Sequence, residues 1–171
     1  GGARSGSVTS VSTLLRRQLR VRYPAGRGRV VLRTELDWDR DLEPIRVSDD
    51  GETSTFALEA RKPFLYFKPC LRTPDGEVLW SVGPNMLVPM TTRGIRDVFP
   101  YFEGSAAGSF SEVLELDSTI LGRKHLLRIY LPPGYRENTL RRHPVLYMQD
   151  GKNLFFPKEA FGGREWQVDE T

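Results

Sequence analysis

FLYFKPCLRTPDGEVLWSVGPNMLVP, Phe64 to Pro89, is the stretch that decides how this chain folds. It opens with a run dense in aromatic and apolar residues, breaks at Thr73-Pro74-Asp75-Gly76-Glu77, resumes as Val78-Leu79-Trp80 and breaks again at Val82-Gly83-Pro84-Asn85. An Asp-Gly pair between two apolar runs is a strong local hairpin signal, because glycine takes the positive φ that a tight turn needs. The stretch therefore predicts β-strands joined by tight turns.

The same grammar extends to both sides. RVVLRTEL (29–36), STFALEA (54–60), EVLW (77–80) and IRDVF (95–99) are short runs of strand formers, with a further turn at Ser48–Glu52, SDDGE. Several short strands at this spacing predict a mostly β body, an immunoglobulin-like antiparallel β-sandwich over residues 21–100. Upstream, residues 1–20 form a Gly/Ser-rich, then basic arm. Its first ten residues are expected to be poorly ordered, VSTLLRRQLR (11–20) to make a short helix, and Gln18 to Tyr23 equally to enter a strand. Downstream, YFEGSAAGSF (101–110) has a core of small residues and is expected to act as a flexible linker. Beyond it, SEVLELDST and KHLLRIYLP read as two strands, and Pro132-Pro133 ends the second by removing ladder donors. HPVLYMQD reads as a third strand, its continuous apolar run suited to a sheet covered on both faces. A Gly-containing loop and REWQVDET, taken as a helix entry, complete a strand–loop–helix order, the way an α/β domain begins. Residues 111–171 are thus expected to be an incomplete α/β beginning.

Composition narrows the function classes. The 171 residues are 39% hydrophobic and 27% charged, ordinary for a water-soluble globular chain. No apolar run reaches the roughly 18 residues of a membrane span, and no signal peptide is present in the given chain. The chain begins with Gly1, so a secreted origin stays open, although the balance falls towards the cytoplasm. The single cysteine, Cys70, excludes an intrachain disulfide framework and a cysteine-based metal cluster, and its apolar setting marks it as a small buried hydrophobe. His125 and His143 lack a paired carboxylate pattern, and neither a P-loop nor a dinucleotide fingerprint occurs, so no metal or cofactor is expected. The net charge of +3 is uneven: Arg4, Arg16, Arg17, Arg20, Arg22, Arg27, Arg29 and Arg33 fall before the first acidic residue. With Tyr23 as their only aromatic neighbour and no groove-reading motif, a solvated arm is favoured over a nucleic-acid interface.

Lys68, Asp75-Gly76, Trp80 and Gly83-Pro84-Asn85 follow one another in the order found in starch- and glycogen-binding β-sandwiches, and the region from Tyr23 to Phe99 resembles a carbohydrate-binding module of family 20 or 48. Trp38, in ELDWDRD, lies where that family has an earlier tryptophan in a loop, though without the usual Leu-Gly pair before it. The resemblance implies that Trp38 and Trp80 stack on sugar rings while Lys68 and Asn85 fix hydroxyls. An exposed indole covers the flat C–H face of a sugar without needing hydrogen bonds. The plain alternative is that the indoles are core residues of a small sandwich; for Trp80 the two are evenly matched, and for Trp38 the charged neighbours favour exposure. Related modules of this fold also serve as docking domains without a sugar site.

RIYLPPGYR and HPVLYMQDGKNLF, within Arg128 to Trp166, resemble the front of esterase D-like and enterochelin-esterase-like α/β-hydrolases, a likeness that covers about Ser111 to Thr171. It implies a serine carboxylic-ester hydrolase in which a backbone N–H of the loop Asp150-Gly151-Lys152-Asn153 helps to hold the oxyanion; many relatives have His-Gly where this chain has Asp150-Gly151. No G-x-S-x-G nucleophile elbow occurs in the 171 residues. His125, His143, Asp150 and Asp169 all precede the place where that elbow would stand, whereas the family's base and acid follow it, so none is assigned a triad role. Two readings follow. In the first, this is the N-terminal portion of a serine esterase carrying a carbohydrate-binding-like module, inactive alone and partnered by the remainder of the esterase domain. In the second, the working unit is the β-sandwich, a non-catalytic module that binds an α-glucan or another carbohydrate, or that docks.

Overall fold

A computed structural model describes residues 13–168. The Gly/Ser-rich start and Asp169 lie outside the described residues. The chain divides into two compact units, the first ending at Phe102 and the second beginning at Glu103.

The first unit is built from β1 (Leu15–Arg22), β2 (Arg29–Thr34), β3 (Asp37–Leu42), β4 (Arg46–Val47), β5 (Thr53–Ala60), β6 (Phe64–Arg72), β7 (Val78–Trp80), β8 (Met86–Pro89) and β9 (Arg96–Val98). They form two sheets. One runs β4-β5-β1-β9, and the other runs β3-β2-β6-β7 with β8 also paired to β6. β6 is long enough to hold β8 beside its first half, Phe64–Phe67, and β7 beside its last three residues. Alternate side chains from both sheets meet between them: Leu19 and Val21, Val30 and Leu32, Phe56 and Leu58, Leu65, Phe67 and Leu71, Val88 and Val98. Tyr23 and Phe102 close this core edge-to-face, their ring centroids 5.0 Å apart.

The expected turns form. In SDDGE the Gly51 N–H donates to the Ser48 carbonyl and the Thr53 N–H to the Ser48 hydroxyl. In TPDGE the Gly76 N–H donates to the Thr73 carbonyl, and Gly76 takes φ 91°. Three expectations need correction. The first strand begins within the expected basic arm, at Leu15, and no helix forms over the described part of 11–20. Leu15 and Leu19, four residues apart, suit helical spacing as well as strand spacing, and the eight-residue pairing of β1 with β5 decides for the strand. The sandwich is not wholly antiparallel, because β9 runs parallel to β1 through Leu19↔Arg96 and Val21↔Val98. Trp38 lies in a strand rather than a loop: Asp37–Leu42 pairs with β2 across a register shift, despite the poor strand propensity of Asp37, Asp39 and Asp41.

The second unit holds β10 (Ser109–Phe110) paired with β13 (Tyr130–Leu131), and the hairpin β11 (Leu114–Ser118) with β12 (Arg123–Leu127). Phe110, Tyr130, Phe155 and Phe156 gather as an aromatic cluster with centroids 4.8–6.1 Å apart. The expected third strand does not form. Val145, Leu146 and Tyr147 are more than 70% exposed, with no ladder partner, and residues 164–168 are not helical. A strand covered on both faces needs neighbouring strands and helices, and among the described residues none lies beside this run. An α/β-hydrolase beginning is therefore not what the second unit displays: among the described residues its regular structure is four short strands and two 3-10 turns, Gly151–Asn153 and Phe161–Gly163.

Candidate functional site

The outward face of the β3-β2-β6-β7 sheet follows from the core pattern. Leu65, Phe67 and Leu71 of β6 point inward, so Phe64, Tyr66, Lys68, Cys70 and Arg72 point outward. Val31 and Trp80 are the register partners of Cys70 on either side, and share its face. On this face Trp38 and Trp80 come together with ring centroids 6.4 Å apart and planes inclined at 49°. Trp80 is 41% exposed and Trp38 half-buried, so neither is an ordinary core residue.

Beneath the indoles lies a charged network that sequence reasoning missed. Asp41 accepts from Arg33 Nε at 2.9 Å and from Arg72 Nε at 2.6 Å, while Arg33 Nη1 donates to the Trp38 carbonyl at 3.0 Å. The Arg33 guanidinium carbon sits 5.1 Å from the Trp80 ring centroid, a cation–π contact. The Arg33 and Asp41 side chains are each only 12% exposed, far less than Trp80. The guanidinium thus lies over one face of an indole that stays 41% exposed. Burial pushes the Asp41 carboxyl up, but hydrogen bonds and charge from Arg33 and Arg72 outweigh it and hold the group below its ordinary value. Arg33, Asp41 and Arg72 became recognisable only through the register, since an outward Arg on β2 and an outward Asp on β3 carry no sequence motif.

Cys70 is fully buried under this layer, within the field of Arg33, Asp41, Lys68 and Arg72, and burial pushes its thiol up to about 11. Lys68 Nζ donates to the Gly83 carbonyl at 2.7 Å, which ties the Gly83-Pro84-Asn85 turn to the sheet face. Asn85 is exposed in that turn, immediately before β8.

The loop candidates of the second unit are placed differently. Asp150 takes a left-handed conformation at φ 55°, and Gly151–Asn153 forms a single 3-10 turn with Gly151 and Lys152 exposed. Asn153 has a local structural role: its side-chain carbonyl accepts from the Phe161 N–H at 3.0 Å and its backbone carbonyl from the Trp166 N–H at 2.9 Å. His143 lies 5.7 Å from the Tyr135 ring, and burial followed by the charge of Arg141 lowers its pKa. Among the described residues, no group of three or more His, Cys, Asp and Glu side chains is placed to hold a metal, and no helix is long and apolar enough to cross a membrane. Several arginines of the basic segment have acidic partners, Arg16 with Glu59 at 2.8 Å and Arg20 with Asp97 at 2.6 Å, alongside Arg29 with Glu43.

No family model and no curated protein matches the chain. Among solved structures it is similar to a gamma-CGTase from an alkalophilic Bacillus clarkii, at 17% identity and a TM-score of 0.38, over 50% of this chain and 14% of that one. The chain therefore spans a small part of that protein's length.

Proposed function

We propose that the first unit is a carbohydrate-binding module that holds an α-glucan against Trp38 and Trp80, with residues 21–100 as the module and 101–110 as its linker. The supporting observation is the inclined indole pair on an outward sheet face, with the largely buried Arg33 guanidinium over the Trp80 ring. Two flat apolar surfaces at an angle match a curved chain of sugar rings, whose C–H faces lose little by leaving water. Asn85 would meet hydroxyls from the adjoining turn, and Lys68, anchored to Gly83, would fix that turn and offer its remaining ammonium donors. The esterase reading, with Asp150, Gly151, Lys152 and Asn153 as its oxyanion-loop candidates, has no comparable support: among the described residues the strand–loop–helix order it needs is not formed.

Affinity electrophoresis in gels containing soluble starch tests the proposal. Retardation of the wild type, lost in Trp80→Ala and in Trp38→Ala while the far-UV circular dichroism is unchanged, is the expected outcome. Unretarded wild-type protein would leave docking as the better account of the module.

A further inference from the structure

β6 carries more than one aromatic surface on its outward side. Phe64 and Tyr66 lie on the same face as Cys70, with their rings 5.9 Å apart and edge-to-face, and they are 38% and 39% exposed. Their register partners on β8 are Pro89 and Leu87, and Leu87 is also 38% exposed. The backbone there is fixed: the Tyr66 carbonyl accepts from the Glu35 N–H at 2.9 Å, and the Tyr66 N–H donates to the Glu35 carboxylate at 3.2 Å. At the strand rise of about 3.4 Å per residue, Tyr66 stands about 14 Å along the strand from Cys70, the position opposite Trp80. Lys68, outward between the two aromatic groups, spends one donor on Gly83 of the three an ammonium carries.

We propose that Phe64 and Tyr66 form a second stacking subsite, so that the module takes a long α-glucan chain laid along β6 across both aromatic groups. This rests on the glucan reading of the Trp38–Trp80 pair and names its substrate class: polysaccharide rather than short oligosaccharide. The alternation of strand side chains puts the two groups on one line, and a linear polymer is the ligand that can use both at once. Reaching the second platform turns a separate binding event into a tethered one, which raises affinity without any new contact at the first. A protein partner fits the surface less well. Phe64, Tyr66 and Leu87 at under two-fifths exposure offer on the order of 200–250 Å² of apolar surface, well under the roughly 800 Å² per partner of a stable interface. Ring-sized faces separated by a charged side chain suit repeated sugar units.

Calorimetric titration of the full chain with maltotriose and maltoheptaose, for wild type, Tyr66→Ala, Phe64→Ala and Trp80→Ala, separates the two layers of the account. The expected result is that the wild type binds the longer sugar about tenfold more tightly, a difference of about 1.4 kcal/mol. Tyr66→Ala should remove that advantage and leave maltotriose affinity unchanged, Phe64→Ala should act in the same direction, and Trp80→Ala should abolish both. Tyr66→Phe, which keeps the ring, should retain the long-chain advantage. If Tyr66→Ala and Phe64→Ala, both folded by circular dichroism, keep the full length dependence, the second subsite is overturned while the first stands. If the wild type binds neither sugar, the glucan reading itself fails. A concentration-dependent dimer in sedimentation that Tyr66→Ala abolishes would assign this face to a second copy of the chain and overturn the proposal.

Discussion

Replacing Asp41 tests whether the charged layer under the indoles is a structural unit. Asp41 accepts from Arg33 at 2.9 Å and from Arg72 at 2.6 Å, and removing its carboxylate affects the two arginines unequally. Arg72 is 34% exposed and can turn to water, whereas Arg33 is 12% exposed and lies against Trp80. Stranding one member of a buried ion pair costs about 3–5 kcal/mol when the remaining charge cannot reach solvent. Here the Trp38 carbonyl and the Trp80 ring still hold Arg33, which places Asp41→Ala lower, at about 2–3 kcal/mol of the sandwich's stability. Asp41→Asn keeps an acceptor and should cost about 1–2 kcal/mol. Urea unfolding of the full chain followed by far-UV circular dichroism measures both, and an unchanged slope against denaturant identifies a true change in stability. The pH dependence has a defined sign. A carboxyl held below its unfolded value, about 3.9, contributes stability that is present above that pH and is lost as pH falls through the lower folded value. The gap between wild type and Asp41→Asn should therefore close in acid. An Asp41→Ala protein within 0.5 kcal/mol of wild type at pH 7, or a gap that widens below pH 4, would refute this account of the network.

Other expectations bear on single positions. Gly28 has φ 152°, and a Cβ there would fall 2.4 Å from the Arg72 carbonyl oxygen, a backbone atom fixed by the β2–β6 ladder. Gly28→Ala should cost about 1–3 kcal/mol in the same urea experiment, and a neutral result would mean that β2 enters the sheet less tightly than described. Cys70 should resist a thiol reagent such as dithionitrobenzoate at pH 8 in the folded protein and react in denaturant, since burial raises its pKa to about 11. Because that value is raised, its stabilising contribution is complete below the unfolded value of about 8.5 and fades as pH rises through about 11. Rapid reaction under native conditions would contradict the buried setting.

The parts legible in the sequence were those governed by local chemistry. Asp75-Gly76 and Asp50-Gly51 announced their turns because glycine's positive φ is required there, and the β6 run announced itself by aromatic and apolar content. What remained illegible depended on partners distant in sequence. Leu15 and Leu19 satisfy either period, and only pairing with β5 makes β1 a strand. Asp37, Asp39 and Asp41 argue against a strand until β2 and the two arginines supply the pairing that holds β3. PVLYM has the composition of a buried strand, yet composition cannot provide the neighbours that would bury it. At the candidate site, the two tryptophans were visible as residue types, while their 6.4 Å approach and the guanidinium behind Trp80 emerge only from the register. The anchoring of Lys68 to Gly83 likewise had no sequence signal.

The most direct measurement is a fluorescence titration of the full chain carrying Trp166→Phe, which removes the exposed third tryptophan, 61% exposed in the second unit, and leaves Trp38 and Trp80 as the only indoles. The account predicts that maltoheptaose produces a saturable change in emission, that the change vanishes when Trp80 is also replaced by alanine, and that Arg33→Lys weakens it by disturbing the support of the ring. A flat titration up to the solubility of the sugar, with protein shown to be folded by circular dichroism, would contradict the claim that this sheet face binds an α-glucan.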